Sequence, residues 1–204
     1  MVAPAPRRAG RGCRRRRQPR WPAVLRELRL RRGPRSAGAG GVMSTAVRPA
    51  TLRDYPALCA LFEELDEFHR LKRPDFFRRF DGPARTWEQV GQWLAGPGST
   101  VLVAAEGAED EADVIGLAVL LPRPPAPFAG AVPRKVVVID NLVVRADRRD
   151  RGIGERLVAA SMEWARGQGA SHVELGVHAV NRHALRFYER LGFGVSVNWL
   201  SRAA

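Results

Sequence analysis

The sequence predicts a layered α/β domain over residues 43–204. Segments whose apolar residues recur at helical spacing alternate with β-branched runs. Gly and Pro clusters separate them. One nearly continuous apolar run, 136–144, reads as a central buried strand.

Residues 46–48 read as a short first strand. Asp54 is a suitable helix cap and Pro56 fits a first turn; Leu58, Leu61, Phe62 and Leu65 then follow at helical spacing, until Pro74. Thr86-Trp87-Glu88-Gln89 has capping-box form, and Val90, Trp93 and Leu94 give a second helix one apolar face before Gly96-Pro97-Gly98 ends it. Strands over 100–105 and 114–121 flank an acidic turn and make a hairpin. The Pro-rich stretch 122–133 is a loop. After the strand 136–144, residues 154–167 read as a helix with Leu157, Val158, Met162 and Ala165 inward, stopped by Gly167 and Gly169. A strand over 172–177, a helix over 181–191 ended by Gly192, and a short last strand over 195–199 complete the order β-α-α-β-β-β-α-β-α-β.

With 204 residues, 45% of them apolar, the chain suits one domain plus a tail. No stretch approaches the roughly 18 apolar residues that cross a bilayer, so no membrane partner is expected. Cys13 and Cys59 lack metal or framework spacing, which points to a reducing, cytoplasmic setting. The net charge of +13 is unevenly spread: 13 of the 34 basic residues but only one of the 21 acids lie in 1–42. The remainder is nearly neutral, which argues against nucleic acid as the domain's partner. In 1–42, Arg, Ala, Gly and Pro fill 30 positions, a composition expected to be disordered. Such a tail reads as an RNA- or lipid-binding arm, as a targeting peptide, or as an upstream extension from GC-rich codons, with Met43 the natural start.

The sharpest local feature is Arg149-Asp150-Arg151-Gly152-Ile153-Gly154, followed by Glu155, between a strand and a helix. Glycines permit a tight turn and close approach, and the free N–H groups of a helix start favour a pyrophosphate. Arg145, Arg148, Arg149 and Arg151 add charge for further phosphates. A glycine turn with solvated arginines is the alternative. The segment is neither a dinucleotide fingerprint, lacking its third glycine, nor a Walker loop, lacking Lys-Ser/Thr.

Leu142-x-Val144 followed by Arg149-x-x-Gly152-x-Gly154 resembles the acetyl-CoA motif of the GNAT superfamily of N-acetyltransferases. Asn181-x-x-Ala184-x-x-Phe187-Tyr188-x-x-x-Gly192-Phe193 is similar to its second signature. The resemblance implies a mixed, mostly antiparallel sheet whose fourth and fifth strands splay around acetyl-CoA. It implies that Leu142, Val143 and Val144 line the pantetheine arm, that residues 149–155 wrap the pyrophosphate, and that Asn181 and Ala184 lie against the cofactor. Homodimers are common in that superfamily.

Acetyl transfer needs a deprotonated amine, a held thioester carbonyl and a proton for the departing thiolate. Tyr188 suits the last task, since a phenol of pKa about 10 stays protonated at neutral pH. The alternative is a buried aromatic with its hydroxyl on a backbone carbonyl. Asp140 interrupts the apolar run, and a carboxylate there is costly unless wet or paired. It falls where spermidine/spermine acetyltransferase-like members place a glutamate, which makes it the candidate base; an acid paired with an arginine is the alternative. Asn141, on the opposite pleat, is a weaker candidate for substrate contact. Glu63 and Glu67 share a helix face, and with His69 and Phe76 they form the expected site for a small, even polycationic, amine. An ordinary solvated face is the competing reading. The remaining histidines form no metal-like set, so no metal is expected. Protein or peptide acetylation and a non-catalytic acyl-CoA-binding module are the other functions weighed.

Overall fold

The computed structural model describes residues 45–79, 81–107 and 112–202; the Arg-rich segment 1–42 lies outside them. Five strands form one sheet: Thr45–Pro49 (β1), Thr100–Glu106 (β2), Asp113–Pro122 (β3), Val136–Val144 (β4) and His172–Leu175 (β5). They lie in chain order. The first three pairings are antiparallel, and β4 with β5 is parallel. Helices Tyr55–Lys72 (α1) and Trp87–Ala95 (α2) precede β2, Ile153–Gly167 (α3) crosses from β4 to β5, and Arg182–Arg190 (α4) follows. Among the described residues no helix is long and apolar enough to cross a membrane.

The period-2 pattern of β2 divides the core. Val101, Val103 and Ala105 pack with Leu58, Leu61 and Phe62 of α1 and Val90 of α2. Leu102 and Ala104 face the other way, onto Ile153 and Leu157 of α3. α3 also buries Ser161, whose hydroxyl donates to the Leu157 carbonyl at 2.7 Å. That bond satisfies a polar group which the apolar pattern did not mark. Met162, expected inward, is half-buried.

Asp54 sits just before α1, as expected, yet its side chain does not cap that helix. It accepts two bonds of 2.8 Å from the Arg48 guanidinium and one of 2.7 Å from the Thr51 amide, closing the 3-10 turn Leu52–Asp54. Burial alone would raise the Asp54 carboxyl; Arg48 and Thr51 outweigh it and hold the pKa below its ordinary value.

The expected last strand does not form. Residues 193–202 carry no regular structure, and Val195, Val197, Trp199 and Leu200 stand exposed, Trp199 by 93%. The alternation is strand-like, but a strand requires a paired neighbour, and the sheet ends at β5.

Candidate active site

β4 carries the centre of the site because it changes partners along its length. Its first half pairs with β5 from Val136 opposite His172 to Ile139 opposite Leu175; from Asp140 to Val144 no β5 residue lies opposite. The strands part there, and the backbone groups on that side of β4 face a crevice. Exposure follows: Val136, Val137 and Ile139 are buried, whereas Asn141, Leu142 and Val144 are half-buried. The parting also explains how a run that reads as wholly buried carries a carboxylate.

Asp140 stands at a bulge. Asn141 pairs with Val119 and Ile139 with Leu120, so Asp140 has no opposite residue on β3. A bulge re-aims side chains, and here it overrides the strict alternation that put Asp140 and Asn141 on opposite pleats. The Asn141 amide donates to the Asp140 carboxylate at 2.6 Å. Asp140 remains exposed in the crevice, but protein packs around it. That desolvation raises its pKa above the ordinary aspartate value, against the pull of Arg85.

The loop after β4 turns through two left-handed residues, Asp150 at φ 60° and Gly152 at φ 73°. Gly152 is the N-cap of α3 and supplies no capping side chain. A Cβ on it would meet nothing within 4 Å. The first-turn amides, from Ile153 to Glu155, are thus open and carry the positive end of the helix dipole. The side chains of the expected cradle are differently employed. Arg145 is bound to Asp113 and Asp147, Arg148 to Glu106 and Asp147, and Arg149 to Glu64 of α1 and the Val144 carbonyl. Of these four arginines, Arg151 alone has no partner among the described residues.

α4 closes the site on the far side. Asn181 caps it, its side-chain oxygen accepting from the Ala184 amide at 3.1 Å, which leaves the amide NH2 for a ligand. The Tyr188 ring packs edge-on against Phe187 and Phe193, with centroids 5.0 and 5.7 Å away. Its hydroxyl finds no protein partner among the described residues, so the carbonyl-bonded alternative does not hold. Burial pushes its pKa up to about 12.

The acid-rich face of α1 is not an open acidic pocket. Arg70 binds Glu63 at 2.7 Å and also Glu67, and Arg79 lies 3.7 Å from Glu67. Asp66 binds Arg85. Glu63 stays largely exposed and Glu67 partly so, as a solvated face would be, and both are paired with Arg70. His69 and Phe76 meet in a ring cluster with Phe77 and His178, His69 stacking on Phe77 at 5.0 Å. Burial lowers the His69 pKa, the charge of His178 adds to the fall, and Asp66 opposes it.

Arg85 was not anticipated. It sits just before the Thr86 cap of α2, bonds Asp66 and the Asn141 side-chain oxygen (3.1 Å), and stacks over Phe62 at 4.7 Å. Asp66, Arg70, Phe77, Arg78, Ala84 and Arg85 line a pocket of about 190 Å³ beside it. Among the described residues no cluster of three or more His, Cys, Asp or Glu could hold a metal.

Comparison with known proteins agrees with this geometry. The Acetyltransferase (GNAT) family model matches residues 61–193. The chain is 28% identical over 162 residues to the L-methionine sulfoximine/L-methionine sulfone acetyltransferase of Pseudomonas paraeruginosa, covering 76% of this chain and 83% of that protein. To an uncharacterized N-acetyltransferase of Methanocaldococcus jannaschii it is 43% identical over 60 residues, 29% of this chain and only 26% of that protein. The structure of a tetramutant of the BH1408 protein from Bacillus halodurans superposes with a TM-score of 0.70 at 26% identity, covering 78% of this chain and 99% of that one. With the family model spanning the parting strands, the open helix start and α4 alike, the chain belongs to the GNAT family of N-acetyltransferases.

Proposed function

We propose that the protein transfers the acetyl group of acetyl-CoA to the primary amine of a small molecule, in one step within a ternary complex. The observation that carries this is the pairing of a crevice between β4 and β5 with the uncapped start of α3 at its end. The residues fit the cofactor. The amides from Ile153 to Glu155 suit a pyrophosphate, helped by Arg151, which has no partner among the described residues. On the side of β4 turned away from β3, Leu142 and the Val144 amide offer backbone to an extended arm, while the Val144 carbonyl already accepts from Arg149, and Asn181 offers its amide NH2. Bound there, acetyl-CoA supplies an activated acyl group as its thioester.

Asp140 takes a proton from the acceptor ammonium, directly or through one water. The amine nitrogen then bonds to the acyl carbon as the carbon–sulfur bond breaks. Tyr188 gives its phenolic proton to the departing sulfur and regains one from the acylated nitrogen, which sheds its second proton as the amide forms; Asp140 releases the first proton to solvent. Its free hydroxyl and raised pKa suit a donor that must stay protonated. His69 and Phe76 belong to the ring cluster on the acceptor side, and Glu67 anchors Arg70 rather than the acceptor. The small acceptor named for the Pseudomonas relative supports a small-molecule substrate. Calorimetric titration with coenzyme A, followed by thiol release from acetyl-CoA over a panel of amines, tests the reading; no binding of coenzyme A overturns it.

A homodimer has a suitable surface. Among the described residues the chain carries an unpaired, alternating apolar run at 195–199 and an outer edge on β5 without a strand beside it. A second copy could exchange these runs. Sedimentation of the full chain measures it, and a monomer at all concentrations refutes it.

A further inference from the structure

We infer that the acetyl acceptor is an amino acid: its carboxylate sits on Arg78 and Arg85, its amine faces Asp140, and its side chain lies on the ring cluster. This rests on the acetyl-transfer reading above and narrows its acceptor class.

The charge around the pocket is the first observation. Each carboxylate along this face of α1 already holds a guanidinium: Glu63 and Glu67 hold Arg70, Glu64 holds Arg149, and Asp66 holds Arg85. A polycation would have to displace an arginine at every step. The pocket wall itself sets Arg70, Arg78 and Arg85 against Asp66 alone. Arg78 has no partner among the described residues. Arg85 uses one bond to Asp66 and one to Asn141, and a guanidinium has five N–H donors, so it retains donors for a carboxylate.

Reach is the second. Arg85 Nη2 lies 3.1 Å from Asn141 Oδ1, and Asn141 Nδ2 lies 2.6 Å from Asp140 Oδ2. With one amide group between them, the guanidinium nitrogen and the Asp140 oxygen are at most about 8 Å apart. Hydrogen bonds of about 2.9 Å at each end leave only a few ångströms between carboxylate and amine. That is the separation in an α- or β-amino acid, and it is too short for the two ends of a long diamine. The third observation is the ring cluster of Phe76, Phe77, His69 and His178, which reaches the pocket through Phe77 and whose contacting rings have centroids 4.9 to 5.6 Å apart. It gives an apolar side chain a surface.

The test compares matched pairs on the full-length enzyme with acetyl-CoA: each proteinogenic amino acid with an apolar side chain against the amine left by removing its carboxylate, with putrescine and spermidine alongside. The expected result is kcat/KM about tenfold or more higher for the amino acid of at least one pair, as charge-assisted bonds imply. Arg78→Gln should then shrink that ratio severalfold, mainly through KM. Equal rates within every pair, a faster amine or polyamine, or release with peptides only would overturn the inference while leaving acetyl transfer intact. Failure of coenzyme A to bind in calorimetry would remove both.

Discussion

A Cβ placed on Gly154 would lie 3.2 Å from the tip of the Phe187 ring and 4.0 Å from Val144. Gly154 therefore lets α4 close over the first turn of α3, whereas Gly152, two residues earlier, keeps the turn left-handed. The two glycines of one motif have different physical reasons. Gly154→Ala should shift Phe187 by tenths of an ångström and destabilise the fold by about 1 kcal/mol, and Gly154→Val by more. Thermal unfolding measures both. An unchanged melting temperature for Gly154→Val would show that α4 does not pack there.

Tyr188→Phe keeps the ring between Phe187 and Phe193 and removes only the hydroxyl. Turnover should fall about 100-fold, with coenzyme A affinity nearly unchanged. As the proposed donor the group acts protonated, and its pKa is raised to about 12, so its loss on the alkaline side begins only as pH climbs toward that value. The parent should show no alkaline limb from Tyr188 below about pH 10. Steady-state rates across pH, with calorimetry beside them, check both statements.

As the proposed base Asp140 must be ionised to accept a proton, and its pKa lies above the ordinary aspartate value because it is desolvated. Activity should therefore decline as pH falls, from a point higher than an ordinary aspartate would give. Arg85 pulls that pKa down, so Arg85→Met should move the acid limb of kcat to higher pH, and Arg85→Lys should move it back in part. A purely structural Arg85 would lower rate or stability without moving the limb. Asp140→Asn should abolish the limb and cost about 100-fold in kcat.

Much of this arrangement was legible in the chain because it is local. Periodicity gave the helices, and β-branched runs with Gly and Pro breaks gave five strands. The Gly152 turn and the helix that begins at Asn181 each lie within one short segment. What escaped depends on contacts between distant segments. Asp66 and Arg85 are 19 residues apart, and Arg85 and Asn141 are 56 apart, so no spacing rule joins them. The pairing of Glu64 with Arg149 crosses 85 residues, and without it the arginines of the loop look free for phosphates. The bulge at Asp140 depends on the register with β3, which a single strand does not encode. The run at 195–199 has strand patterning without a strand to receive it, and patterning alone does not supply the partner.

Asp54 offers a test of the fold apart from the chemistry. It is buried and held by Arg48 and the Thr51 amide, at the junction of β1 with α1. Removing the carboxylate takes two charge-assisted bonds from a partly buried guanidinium, so Asp54→Ala should cost about 3 kcal/mol, the lower end for a buried pair because Arg48 is partly solvated. The sign of the pH effect follows from the lowered pKa. The stabilisation is complete above the unfolded-state value of about 3.9 and disappears as pH falls through the lower folded-state value. Denaturant unfolding at pH 7 and at pH 3 should then show a larger gap between parent and variant at the higher pH. An equal gap at both would mean that Asp54 stabilises the turn by packing rather than by charge.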